Sequence, residues 1–113
     1  LKPPQTHGDN PARPFATEFE EFVEKIREIR DEFDVALCSC GGYGNPLCAA
    51  IADMKRSAIY VGGVLQMYFG IYGSRWEREA PELLKAYKHD GWVRPAISER
   101  PAGHEQIEKA CYW

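Results

Sequence analysis

The 113-residue chain has no apolar run near the roughly 20 residues that a membrane-spanning helix needs, so no span is expected. Its first residues lack the basic and apolar regions of a signal peptide, which predicts a cytoplasmic chain. Lys and Arg form no cluster interleaved with aromatics, and the net charge of −3 comes from a mixed surface, which argues against a nucleic-acid partner. No initiator methionine is present. The start "LKPPQT" reads as the continuation of something upstream, so a piece of a longer protein is expected. Serine and histidine are sparse and set in no catalytic pattern; His7, His89 and His104 are scattered and expected in solvent. Phosphate-loop and dinucleotide signatures are missing too: no Lys-Ser/Thr pair follows the glycines, and the last glycine of G-x-G-x-x-G would fall at Leu47.

What is present is ordinary for a globular chain. Hydrophobic residues make up 44% and charged residues 27%, which excludes a disordered or fibrous class, and the length suits one small domain. Four cysteines, Cys38, Cys40, Cys48 and Cys111, are expected as reduced thiols. Cys38 and Cys40 stand too close in sequence for a zinc knuckle or an ordinary bridge, although a thiol metal site including Cys48 is the sharper alternative.

Residues 1–15, with Pro3, Pro4, Pro11 and Pro14, predict an extended or loop segment, and 16–113 a single domain. Thr17 and Glu20 match a capping box, opening a helix whose packed face is Phe19, Phe22, Val23, Ile26, Ile29 and Phe33. Residues 34–38, "DVALC", predict a buried strand. Asn45 as N-cap and Pro46 then open a helix with an apolar stripe of Leu47, Ala50, Ile51 and Met54. "SAIYVGG", residues 57–63, predicts a second strand, parallel to the first through that helix. A short buried helix follows in "VLQMYFGIYG" and another in "APELLKAY", opened by Pro81. The last stretch predicts coil packed by Trp92, Ile97, Ile107, Tyr112 and Trp113. The fold class expected is α/β, with a short parallel sheet flanked by helices.

In an open parallel sheet, ligands collect beyond the carboxyl ends of the strands, where helix N-termini offer unpaired N–H groups. Both glycine turns fall there. Gly41, Gly42 and Gly44 can bring backbone close to an anion with Asn45 behind them, or can simply permit a tight strand-to-helix turn. Gly62 and Gly63 carry the same two readings. Gln66, an amide in an apolar stretch, is a ligand contact or a satisfied core amide. Arg75 and Trp76 offer a cation and a ring to an anionic or planar ligand, or are a surface Arg and a Trp over the core. Cys40, near a helix N-terminus, is a candidate for a lowered thiol pKa.

Three stretches carry a resemblance: "GGYGNPL" at residues 41–47, "GGVLQMYFGIYGSRW" at 62–76, and the terminal "CYW" at 111–113. Together they resemble a glycosyltransferase-like family found in sugar-polymer settings and loosely similar to GT-D type glycosyltransferases. The resemblance implies a Rossmann-like C-terminal part of a longer protein that binds a nucleotide sugar. By it, Gly41, Gly42, Tyr43, Gly44 and Asn45 line a diphosphate, Gly62, Gly63 and Gln66 stand on the neighbouring loop, and Arg75 and Trp76 close the site. Two departures are visible. Ser74 stands where the family has Lys, and the D-x-E metal motif of GT-D enzymes is missing, so a divalent metal and a catalytic carboxylate would come from a region outside this sequence. No other cofactor is implied. The alternative is a non-catalytic binding or scaffold subunit that keeps the fold and docks a protein partner through Trp76, Trp92, Tyr112 and Trp113.

Overall fold

A computed structural model describes residues 1–4, 13–106 and 108–113. The expected loop over 5–12, with His7, and the packing expected of Ile107 lie outside the described residues. The chain groups into two compact units, the first running to Leu65 and the second from Gln66 to Trp113.

The first unit begins with α1 (Phe15–Glu28), two residues ahead of the expected start, so Thr17 lies inside the helix and forms no cap. Pro14 is the N-cap and makes no side-chain cap bond. The earlier start is favoured because Arg13 pairs with Glu18 and Glu21 and because the Phe15 ring stacks on Tyr43 at 4.4 Å. Phe22, Val23 and Ile26 are buried as the periodicity requires, and Phe19 and Phe33 pack beside them.

A turn at Arg30–Glu32 leads to β1 (Val35–Cys38). The chain then passes through a 3-10 turn (Gly41–Tyr43) into α2 (Gly44–Asp53) and returns as β2 (Ser57–Tyr60). The 3-10 turn runs straight into α2, so Asn45 sits exposed in its first turn rather than capping it. Pro46 is tolerated there because the first turn's N–H groups have no partner inside the helix. The two strands pair in parallel, with Val35 opposite Ser57 and Cys38 opposite Tyr60. The chain is therefore α/β, as expected. Leu47, Ile51 and Met54 of α2 join Cys38 and the α1 face in this unit's core. Burying each such apolar side chain contributes about 1.5–3 kcal/mol. Arg56 ties the start of β2 to the turn after α1, donating from Nε to the Arg30 carbonyl and from its guanidinium to Asp31, both at 2.8 Å.

After a turn at Gly62–Val64, α3 (Leu65–Tyr68) runs from the first unit into the second. It is one turn long and is not the buried helix expected. Met67 is buried, whereas Tyr68 and Phe69 lie exposed, because Gly70 at φ +70° ends the helix before an apolar stripe can form. Ile71 and Val93 then form an isolated parallel bridge. Two helices lie between them: α4 (Ser74–Glu79), which has no apolar period to announce it, and α5 (Pro81–Tyr87), opened by Pro81 as expected.

The tail is irregular, with short turns at Ile97–Glu99 and His104–Gln106. Ile97 is 82% exposed and packs nothing, contrary to expectation, since it stands at the start of an isolated three-residue turn. Cys111 is buried, and its carbonyl accepts the Arg75 N–H at 2.8 Å. Glu108, Lys109 and Ala110 before it are left-handed in φ.

Candidate functional site

Parallel pairing places both glycine turns of the first unit at one end of the sheet. Each follows its strand's last residue, and those residues, Cys38 and Tyr60, are opposite one another. The Cys38 carbonyl accepts the Val61 N–H at 2.9 Å, which carries the pairing one step past the strands. The Tyr60 hydroxyl donates to the Gly41 carbonyl at 3.2 Å, so one turn is fastened to the other strand.

Each turn opens on a glycine in the left-handed region, Gly41 at φ +50° and Gly62 at φ +70°, where a side chain would be strained. A Cβ at Gly41, Gly42 or Gly62 would meet no atom of the described residues within 4 Å beyond its chain neighbours, so all three turn bare backbone toward open space. Gly44 has another reason to lack a side chain: a Cβ there would stand 2.3 Å from the Tyr60 ring. The structure thus brings Gly41, Gly42, Gly44 and Asn45 into one strand-to-helix turn beside the turn of Gly62 and Gly63. Tyr43 is in the same turn, but its ring is buried in a stack with Phe15 and Phe19, and its N–H is donated to the Cys40 carbonyl at 3.0 Å.

Neither Cys38 nor Cys40 is an activated thiol. Burial, then the neighbouring Cys48, pushes Cys38 up to about 12, and the same two causes raise Cys40, against the expectation of a reactive thiol. All four cysteines are free. Among the described residues no three His, Cys, Asp or Glu side chains gather as a metal site needs.

Gln66, Arg75 and Trp76 belong to the second unit. Gln66 Nε2 and Trp76 Nε1 are buried donors without an acceptor among the described residues, and such groups are uncommon. Arg75 is held by its own unit: Nε donates to Glu79 at 3.1 Å, one guanidinium nitrogen to the Tyr112 hydroxyl at 2.6 Å, and the other pairs with Glu108 at 3.1 Å. His89 and His104 are also engaged, His89 Nδ1 accepting the Gly91 N–H and His104 edging Trp113.

Compared with models of protein families, with curated proteins and with solved structures, the chain matches none. Sequence reasoning missed Tyr60, whose hydroxyl joins the turns. Its place at the last position of the second strand, opposite Cys38, was the signal available. It also missed the ring of Tyr72 with its two cations, Lys88 at 4.1 Å and Arg94 at 5.4 Å, because spacings of 16 and 22 residues leave no motif. No helix among the described residues is long and apolar enough to cross a membrane.

Proposed function

We propose that the paired glycine turns bind the diphosphate of a nucleotide sugar, and that the chain is a glycosyltransferase-like domain. One observation carries this reading: two adjacent parallel strands each end in a turn opened by a left-handed glycine, with bare backbone facing open space at Gly41, Gly42 and Gly62. An oxyanion needs close-approaching N–H groups and the positive end of a helix, and α2 starts at this turn. In that role the open backbone at Gly41, Gly42 and Gly62 holds phosphate oxygens and stabilises charge that builds up on a leaving diphosphate, since the Tyr43 and Gly44 N–H groups are donated within the turn to the Cys40 and Gly41 carbonyls.

A second reading, a binding or scaffold subunit, draws on the other face of the sheet. Val35, Leu37 and Ile59 are each about half exposed (49%, 51% and 54%), whereas parallel sheets are normally covered on both faces. Calorimetric titration with UDP-, GDP- and dTDP-sugars separates the two. Saturable binding of at least one supports the diphosphate site; heat indistinguishable from buffer for all of them contradicts it and favours the scaffold.

A further inference from the structure

A second concavity lies wholly within the second unit. Its volume is about 570 Å³, and its walls come from Tyr72, from α4 at Glu77, from α5, and from the segment Lys88 to Trp92. The two turns described above lie in the first unit and contribute nothing to it.

Its chemistry is mixed. Lys88 Nζ donates to the Tyr72 hydroxyl at 2.7 Å, which leaves the phenol's own proton as a donor. That hydrogen bond, with the help of Arg94, lowers the Tyr72 pKa. His89 Nδ1 accepts the Gly91 N–H at 3.1 Å, which fixes the neutral ring's proton on Nε2, a further donor. On the accepting side, the Asp90 carboxylate has no hydrogen bond or ion pair among the described residues. Of the charges lining the cavity, Glu77 is paired with Arg94 and Lys85 with Glu82 at 3.9 Å, which leaves Lys88 against Asp90. A bound ion would be repelled by one of these as it is attracted by the other. A neutral ligand with hydroxyls that both donate and accept meets no such penalty. Trp92 adds a half-buried indole, which offers an apolar face to C–H groups beside these polar ones.

We infer that this pocket of Tyr72, Lys88, His89, Asp90 and Trp92 binds a neutral saccharide, the pyranose C–H face against Trp92 and the hydroxyls between Asp90 and the Lys88–Tyr72 pair. The inference does not rest on the diphosphate reading, and its test uses no nucleotide, so either can fail alone.

Saturation-transfer NMR on the full chain, with millimolar glucose, galactose, mannose and N-acetylglucosamine, tests it, with glucuronate and glycine as charged and zwitterionic controls. Transfer to the ring C–H protons of at least one neutral sugar is expected, weakened by about tenfold or more in Asp90→Asn. Asp90 is exposed and unpaired, so an unchanged circular dichroism spectrum is expected for the variant. Absence of transfer to every neutral sugar, equal affinity in Asp90→Asn, or preference for glucuronate or glycine would overturn the assignment.

Discussion

Cys38 shows how one buried residue sets a pH limit. Its thiol ionises near 12 in the folded chain against 9.0 ordinarily, because burial, and then Cys48, disfavours the thiolate. Between those values the unfolded chain has lost a proton that the folded chain keeps, so stability falls as pH rises from about 9 toward 12. The urea midpoint of the wild type should therefore drop from pH 8 to pH 10.5 by more than that of Cys38→Ala; equal drops would remove Cys38 as the cause. Gly73 makes a different point. A Cβ there would stand 2.4 Å from the Tyr112 backbone carbon and 2.7 Å from the Cys111 carbonyl, and backbone cannot swing aside as the Tyr60 ring near Gly44 can. Gly73→Ala should cost about 3 kcal/mol and Gly44→Ala distinctly less, both read from urea unfolding. A Gly73→Ala chain as stable as wild type would show that the terminal segment is not held against Gly73.

Among the elements, those with a strong period were legible in the sequence and those set by tertiary contact were not. The α1 face, the apolar stripe of α2 and the position and pairing of the two strands follow from residue spacing and length. The first strand is not the buried one expected: Val35 and Leu37 are half exposed and only Cys38 is buried, because α1 and α2 cover one face of a sheet of two strands. The start of α1 did not, because its two extra residues are rewarded by Tyr43, far along the chain, and by Arg13 pairs that no capping pattern encodes. The glycine turns were legible as turns. That they lie side by side depends on strand pairing, and the Tyr60 bond to Gly41 was out of reach because it is a contact across the sheet. Lys55 shows a local rule broken: it occupies φ +62° just past the end of α2, a position where glycine is the usual residue. Lys55→Gly should relieve that strain and raise stability by about 1 kcal/mol, the strain outweighing glycine's larger unfolded-state entropy. A loss of stability in thermal or urea melts would mean that Lys55 makes contacts that compensate for its backbone.

For the whole molecule, the claim at the centre is that open backbone at the end of the parallel pair is there for a diphosphate and not only for turning the chain. Gly41 and Gly62 cannot separate the two, since their positive φ gives any substitution a folding cost. Gly42 can. It lies outside the left-handed region, and a Cβ there meets nothing within 4 Å, so alanine should leave the fold intact while placing a methyl where the ligand would sit. The most direct measurement is calorimetric titration of wild type and Gly42→Ala with the same UDP-, GDP- and dTDP-sugars, beside their urea midpoints. Saturable wild-type binding of at least one donor is expected, with affinity reduced by about tenfold or more in Gly42→Ala and equal midpoints. Binding by neither protein, or equal affinity in both, would contradict it.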